Sequence, residues 1–120
     1  MKCLIVNDFG PIVDILKRLL YQIDSNVDIT YADTSFDGIR YLNDSYDNIL
    51  VDHSLPDDNI EGFLTKALQK KYNKRIIVLC MADATSNISK FIRSHNNTEN
   101  IVFVTKPFDK ASLLNVLSRR

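Results

Sequence analysis

Polar residues able to do chemistry follow several short apolar segments of this 120-residue chain. Asn7 and Asp8 follow the first segment, Asp52 follows a later one, and Lys106 follows the last. Two carboxylates that converge at one edge of a fold offer hard oxygen ligands, which suit a magnesium-sized cation that keeps several waters. A lysine ammonium beside them would complete a site that holds a phosphoryl group while a carboxylate oxygen attacks phosphorus. The sequence therefore predicts a candidate phosphoryl-transfer site.

The elements that must position these residues are strands and helices in alternation. Short apolar runs rich in β-branched residues alternate with longer stretches of helical periodicity, which is typical of βα units with buried parallel strands. Such a chain is predicted to form an α/β fold with an open, doubly wound sheet, because crossovers are right-handed and the units are too few for a closed barrel. Ligands of such sheets bind outside the carboxyl ends of the strands. Five strands are predicted: Cys3–Val6, Val27–Tyr31, Ile49–Val51, Arg75–Leu79 and Ile101–Val104.

A helix is predicted after each strand. Apolar residues from Ile12 to Ile23 repeat at helical spacing, with Gly10 as the predicted cap and Pro11 at the first helical position. Asp109 is expected to cap the last helix, whose apolar side carries Leu113, Leu114, Val116 and Leu117. The three helices between them are predicted at Ser35–Leu42, Gly62–Tyr72 and Ser86–Arg93.

Composition limits the class of protein. Fifteen Lys and Arg balance fifteen Asp and Glu, so no net field attracts the chain to nucleic acid or to an anionic membrane. The first apolar run is too short for a secretory signal or a membrane span. Cys3 and Cys80 would lie at opposite ends of the sheet, too far apart for a disulfide. We therefore expect a single domain over residues 1–120, cytoplasmic, with reduced thiols and no direct binding to nucleic acid or membranes.

Three segments of the chain, in their order and separation, resemble the response regulator receiver domains, also called CheY-like domains. The segments are Leu4–Asp8, Tyr46–Pro56 and Phe103–Phe108, and Gly38 fits the second helix of that family. The match spans essentially the whole chain. The resemblance implies a flavodoxin-like (βα)5 fold with the parallel sheet order 2-1-3-4-5.

The same resemblance implies a role for individual residues. Asp52 would accept a phosphoryl group from a phosphohistidine on a histidine kinase or a histidine phosphotransfer protein. Asp8 and the backbone carbonyl of Ser54 would ligate magnesium together with Asp52. Lys106 would contact the phosphoryl group, and Phe103 would be the aromatic residue that changes rotamer on activation. Such a chain is a signalling domain that assists its own phosphotransfer rather than an enzyme.

The output of such a domain would be a protein partner. The chain contains no effector domain after the last predicted helix, unless it was cut from a longer protein. The partner would then bind the surface around the fourth helix, the fifth strand and the fifth helix.

Three positions depart from the family's pattern. Asn7 stands where an acidic residue is usual, so one negative charge is missing from the metal site. Such a charge would attract a unit positive charge about 5 Å away by roughly 3 kcal/mol, in an effective dielectric of about 20. Magnesium binding should therefore be weak. Cys80 followed by Met81 ends the fourth strand, where Ser or Thr followed by a small residue is usual. If the alignment is shifted by one place, so that Ala82 is the small residue, Met81 takes the position of the hydroxyl and the hydroxyl is still missing. Because a thiol is a weaker hydrogen-bond donor, the phosphoryl group should be coupled more loosely to the switch. Gly62 lies two residues later than usual, which predicts a longer loop beside the site.

These departures leave alternatives open. A degenerate receiver that binds partners constitutively, without phosphorylation, is favoured by Asn7, Cys80 and Met81. A flavodoxin-like enzyme or small-ligand binder is a third hypothesis, although a nucleotide site has no support because the first strand is followed by a single glycine and then Pro11. His53 either packs on a helix or tunes the neighbouring carboxylate near neutral pH.

Overall fold

One parallel sheet of five strands forms the centre of the protein. The computed structural model describes residues 1–70, 75–81, 85–95, 98–106 and 108–117. The strands are β1 (Lys2–Val6), β2 (Asp28–Ala32), β3 (Asn48–Asp52), β4 (Arg75–Met81) and β5 (Ile101–Lys106). The helices are α1 (Gly10–Ile23), α2 (Ser35–Tyr41), α3 (Ile60–Leu68), α4 (Thr85–Arg93) and α5 (Lys110–Leu117). The sheet order is β2-β1-β3-β4-β5, so the predicted flavodoxin-like topology is confirmed.

The core consists of two apolar layers, one on each face of the sheet. Strand side chains alternate between them: Leu4 and Val6 face α2, α3 and α4, whereas Cys3 and Ile5 face α1 and α5. All five residues of β3 are buried. Because β3 is central and covered on both faces, a polar residue at its carboxyl end is held by a rigid, water-excluded backbone.

Strands β2 to β5 end one or two residues later than the sequence predicts, whereas β1 ends at Val6 as predicted. Asp52 pairs with Leu79, and Met81 pairs with Lys106, in the last rungs of the sheet. In these pairs the backbone N–H and C=O groups of polar residues are hydrogen-bonded within the sheet, although the sequence pattern assigns the same residues to loops. Strand β2 is also displaced, by one residue relative to its predicted range. Asp52, Cys80 and Lys106 therefore belong to strands and not to the loops that follow them.

The first helix begins one residue earlier than predicted. Phe9 is its N-cap and Gly10 its first helical residue, so the prediction of Gly10 as the cap is wrong. The side-chain oxygen of Asn7 accepts the N–H of Phe9 at 2.9 Å and thereby fixes this turn. The predicted cap of the last helix is confirmed, because the Asp109 carboxylate accepts the N–H of Ser112 at 2.7 Å.

The third helix also differs from its predicted range. It begins at Ile60 and ends at Leu68, because the N–H of Gln69 turns back to the Lys66 carbonyl at 3.2 Å and closes the last turn tightly. Gly62 lies inside this helix and does not mark the end of a longer loop. The predicted end of the helix at residue 72, the shifted register at residue 82 and the proline at 107 lie outside the described residues.

Both cysteines are buried and free, as expected. Burial raises the pKa of the Cys3 thiol to about 11, so the thiol is protonated at neutral pH. None of the helices in the described part of the chain has the length and apolarity needed to cross a membrane.

Helix α2 packs closely because Gly38 has no side chain. A Cβ at this position would lie 3.0 Å from the Phe63 ring and 3.0 Å from a Val6 methyl. Both neighbours are fully buried, so neither can move aside cheaply. Gly38 thus sets the distance between α2, α3 and β1.

We predict that Gly38→Ala lowers the free energy of unfolding by about 1 to 3 kcal/mol, because overpacking outweighs the gain in helix propensity. Gly62→Ala is the matched control: the three atoms nearest to its Cβ would all belong to the exposed side chain of Asn59, which can swing away. Urea unfolding of both variants measures the difference. Equal stability of the two variants would show that Gly38 is not at a close contact.

Candidate functional site

A buried carboxylate at the end of the central strand is the focus of the site. Asp52 is 3% exposed. The ammonium of Lys106, from the end of β5, donates to its Oδ2 atom. The Lys106 side chain is itself 22% exposed, so the ion pair lies at the boundary between the sheet and solvent. A carboxylate in such a place needs a cationic or N–H partner, since burying an isolated charge is costly.

Asn7 supplies a second donor to the same carboxylate. Its Nδ2 atom lies 3.2 Å from Oδ2 of Asp52, and the whole residue is buried. The orientation of the amide is fixed, because its oxygen accepts the backbone N–H of Phe9. Asn7 therefore presents a donor to the site, whereas an acidic residue at this position would present a negative oxygen.

The residues that follow Asp52 complete its environment. The N–H of Ser54 donates to Oδ1 of Asp52 at 2.9 Å. The His53 ring turns toward β4, where Nδ1 lies 3.2 Å from the Leu79 carbonyl oxygen and 3.5 Å from Oδ1 of Asp52. Because a carbonyl only accepts, Nδ1 of His53 carries the proton of that contact. Three N–H groups thus hold the two oxygens of Asp52.

The predicted metal ligands are Asp8, Asp52 and the backbone carbonyl of Ser54. Asp8 follows Asn7 with an exposed side chain, and Ser54 lies beyond the end of β3. Oδ1 of Asp52 accepts the N–H of Ser54, and carboxylate and carbonyl oxygens are the hard ligands that suit magnesium. Within the described residues no group of three or more His, Cys, Asp or Glu side chains could hold a metal.

The predicted switch residues lie on the same face of the sheet. Cys80 is fully buried in the layer that faces α2, α3 and α4, and Phe103 packs half-buried against that layer. In the sheet Phe103 pairs with Val78, while Thr105 pairs with Cys80. Burial raises the pKa of the Cys80 thiol, the Lys106 ammonium opposes the shift and the Asp52 carboxylate adds to it. The thiol is therefore neutral and within electrostatic reach of both charged groups.

One contact beside the site was not anticipated from the sequence. The carboxylate of Asp57 accepts hydrogen bonds from Ser35 and from the N–H of Phe36, both in the first turn of α2. Ser35 and Asp57 are 22 positions apart in the chain. No local motif predicts such a pairing, because it depends on how the loop after β3 lies against α2.

We predict that Lys106→Met lowers the free energy of unfolding by about 2 to 4 kcal/mol, because it leaves the buried Asp52 charge without its cation. The double variant with Asp52→Asn should regain most of this loss, since no charge is then buried. Lys110→Met, at an exposed lysine of α5, is the control and should stay close to the parent protein. Urea unfolding of the parent protein, of these three variants and of Asp52→Asn alone gives the values for the cycle. Losses that simply add in the double variant would contradict the ion pair.

Comparison with known proteins yields structural neighbours only. No protein-family profile matches the chain, and no curated protein sequence is significantly similar to it. Among solved structures, one neighbour is the receiver domain of the sensor histidine kinase PA1611 from Pseudomonas aeruginosa, crystallised with magnesium in its active-site cleft. It is 21% identical over 98% of this chain and 94% of that one, with a TM-score of 0.75.

Two further neighbours have the same fold. The receiver domain of Francisella response regulator 1452 is 24% identical over 97% of this chain and 94% of that one, with a TM-score of 0.71. The phosphorylated cyanobacterial phytochrome response regulator RcpA is 17% identical over 97% of this chain and 87% of that one, with a TM-score of 0.74. The resemblance seen in three short segments is thus confirmed at the level of the fold: the chain has the architecture of a response regulator receiver domain.

Proposed function

We propose that this chain is a single receiver domain of two-component phosphorelay signalling, with Asp52 as the phosphoacceptor. The observation that carries the proposal is the buried Asp52 carboxylate at the end of the central strand, paired with Lys106. The phosphodonor would be the phosphohistidine of a histidine kinase or a histidine phosphotransfer protein. The domain would act in the cytoplasm as a signalling protein, without direct binding to nucleic acid.

The chemistry follows from the groups around Asp52. A carboxylate oxygen of Asp52 attacks phosphorus, the P–N bond to the donor imidazole breaks, and the imidazole nitrogen leaves with the electron pair. Lys106 lies where its ammonium offsets negative charge on the transferred group. The N–H of Ser54 holds the other carboxylate oxygen in place, so the attacking group is oriented before the donor arrives.

Magnesium, held by Asp8, Asp52 and the Ser54 carbonyl, would supply further positive charge for the phosphoryl oxygens. Asn7 would stand next to it without ligating it, because the amide oxygen is engaged by Phe9 and the amide N–H faces Asp52. We therefore expect the affinity for magnesium to be low.

The output would be a change in a protein-binding surface formed by α4, β5 and α5. Cys80 and Phe103 contribute to one layer of the core beside these elements, which supports their assignment as the switch pair. A covalent phosphate moves such an equilibrium only by its differential interaction with the two states. Since a thiol donates weakly, the shift on phosphorylation should be small.

A second function has specific support. In a degenerate receiver, which binds its partner constitutively, the site would be stable without cation or phosphate. The Asn7 amide favours this reading because it satisfies Asp52 in the resting protein. The two functions differ in one observable property, the uptake of phosphate on Asp52.

Incubation with a small phosphodonor and magnesium should add one phosphoryl group to the protein, and Asp52→Asn should abolish the addition. Intact-mass spectrometry measures both. Asp58→Asn removes a carboxylate from the nearby loop and should leave the addition unchanged. A phosphoryl group that persists in Asp52→Asn would refute the assignment, and no uptake by the parent protein would favour the degenerate receiver.

Asn7→Asp should tighten magnesium binding on the order of tenfold, because it restores a negative charge beside the ligands. Titration calorimetry gives the dissociation constants. Asn7→Ala removes the same hydrogen bond to Asp52 without adding charge and should not tighten binding. If Asn7→Asp binds magnesium no better than the parent protein, the side chain at position 7 does not act on the cation.

Cys80→Thr should enlarge the phosphorylation-dependent change at Phe103 roughly ten- to a hundredfold in the switch equilibrium, since a hydrogen bond to a charged group contributes about 1.5 to 3 kcal/mol. Cys80→Val has the shape of threonine without the hydroxyl and is the control. NMR chemical shifts of Phe103, with and without a phosphoryl mimic, report the equilibrium. Equal responses of the Thr and Val variants would mean that the hydroxyl is not the coupling group.

A further inference from the structure

The loop between β3 and α3 is tied to the first turn of helix α2 by a single carboxylate. Asp57 accepts the hydroxyl of Ser35 at 2.5 Å, the N–H of Ser35 at 3.2 Å and the N–H of Phe36 at 3.0 Å. Ser35 is completely buried. The Ser35 hydrogen bond lowers the pKa of the Asp57 carboxyl, so the group is ionised at neutral pH. We call these three hydrogen bonds the Asp57 clasp.

The clasp holds a loop that begins at the phosphoacceptor. Ser54 donates its N–H to Asp52, and Leu55 is buried directly after it. The N–H of Asp58 then returns to the Leu55 carbonyl at 2.9 Å, which closes a turn around Asp57. Asp58 has a φ of 48°, in the left-handed region that Asp and Asn adopt more readily than most residues with a side chain.

The other end of the clasp is a fixed support. Helix α2 is set against Val6 and Phe63 by the close contact at Gly38. Its first turn is also capped locally, because the Thr34 hydroxyl accepts the N–H of Asp37 at 3.1 Å. The first turn therefore does not need Asp57 to form, and the clasp fixes the loop more than it fixes the helix.

We propose that Asp57 is a positioning residue for the Asp52 site: by holding the β3–α3 loop on α2 it sets the place of Ser54, whose N–H orients Asp52. This inference rests on the proposed phosphoacceptor function and extends it to a residue that touches no reacting atom. Ser54 contributes two backbone groups to the site: its N–H holds Asp52, and its carbonyl is the proposed ligand of the cation. The clasp therefore affects both groups when it fixes the backbone of the loop. Loosening the loop should therefore disturb both the orientation of Asp52 and the uptake of phosphate.

Asp57→Asn and Asp58→Asn form a matched pair for the test. Each removes one negative charge from the same loop, and Asn tolerates the left-handed backbone of position 58. Only Asp57→Asn disturbs the clasp. Ser35→Ala is an intermediate case, because it removes the hydroxyl and keeps both backbone N–H donors. Urea unfolding establishes that each variant is folded under the conditions used.

Two measurements distinguish the loss of the Asp57 clasp from a general loss of protein stability. In proton–nitrogen NMR spectra of the unphosphorylated protein, Asp57→Asn should shift the Ser54 amide, whereas Asp58→Asn should not. The initial rate of phosphate uptake from a small phosphodonor should fall roughly three- to tenfold in Asp57→Asn and less in Ser35→Ala, in line with a partly exposed hydrogen bond to a charged group. The double variant of Ser35 and Asp57 should be no slower than Asp57→Asn alone, because both changes break one clasp.

The outcomes distinguish this inference from the function on which it rests. A Ser54 amide that responds equally to Asp57→Asn and Asp58→Asn, or uptake rates that fall equally in both, would overturn the clasp. If the parent protein takes up no phosphate while the Ser54 amide responds only to Asp57→Asn, the loop is positioned as proposed and the phosphoacceptor function is wrong.

Discussion

The ion pair between Asp52 and Lys106 is the interaction on which the rest of the site depends. A carboxylate at the end of a strand buried on both faces needs a cation and hydrogen-bond donors around it, because burying an unpaired charge is costly. The sheet order supplies them: β1 brings Asn7 to one side of β3, and β4 places β5 with Lys106 on the other. The polar residues converge because parallel strands end at the same edge.

Asn7 changes the electrostatic character of this edge. An acidic residue at position 7 would repel Asp52, and a divalent cation would then stabilise the pair of carboxylates. The Asn7 amide instead donates a hydrogen bond to the Asp52 carboxylate. The demand for a cation is therefore reduced in the unphosphorylated state. Cys80 would have a parallel effect at the proposed switch, because a buried neutral thiol is a weaker donor than a hydroxyl. In the proposed function, both positions would couple the phosphate less strongly to the cation and to the output.

Much of this arrangement could be predicted from the sequence. The features that could not be predicted, the strand ends and the orientation of the Asn7 amide, have physical causes. Strand order and the gathering of Asp52 and Lys106 follow from hydrophobic patterning and from the rules for parallel sheets, which are properties of the whole chain. The ends of the strands were predicted too early, since a polar residue in the last rung looks like a loop residue until its backbone partner is known. Patterning also carries no information on which way an amide points, so the donor role of Asn7 depended on its contact with Phe9.

Chemical mapping of the phosphorylated residue tests the account most directly. Borohydride reduces an aspartyl phosphate to homoserine, so reduction after incubation with a small phosphodonor, followed by peptide mass spectrometry, marks the acceptor in the unmutated protein. Homoserine is expected at position 52, with an unmodified carboxylate at Asp8. Homoserine at any other position, or none in protein that remains folded, would contradict it.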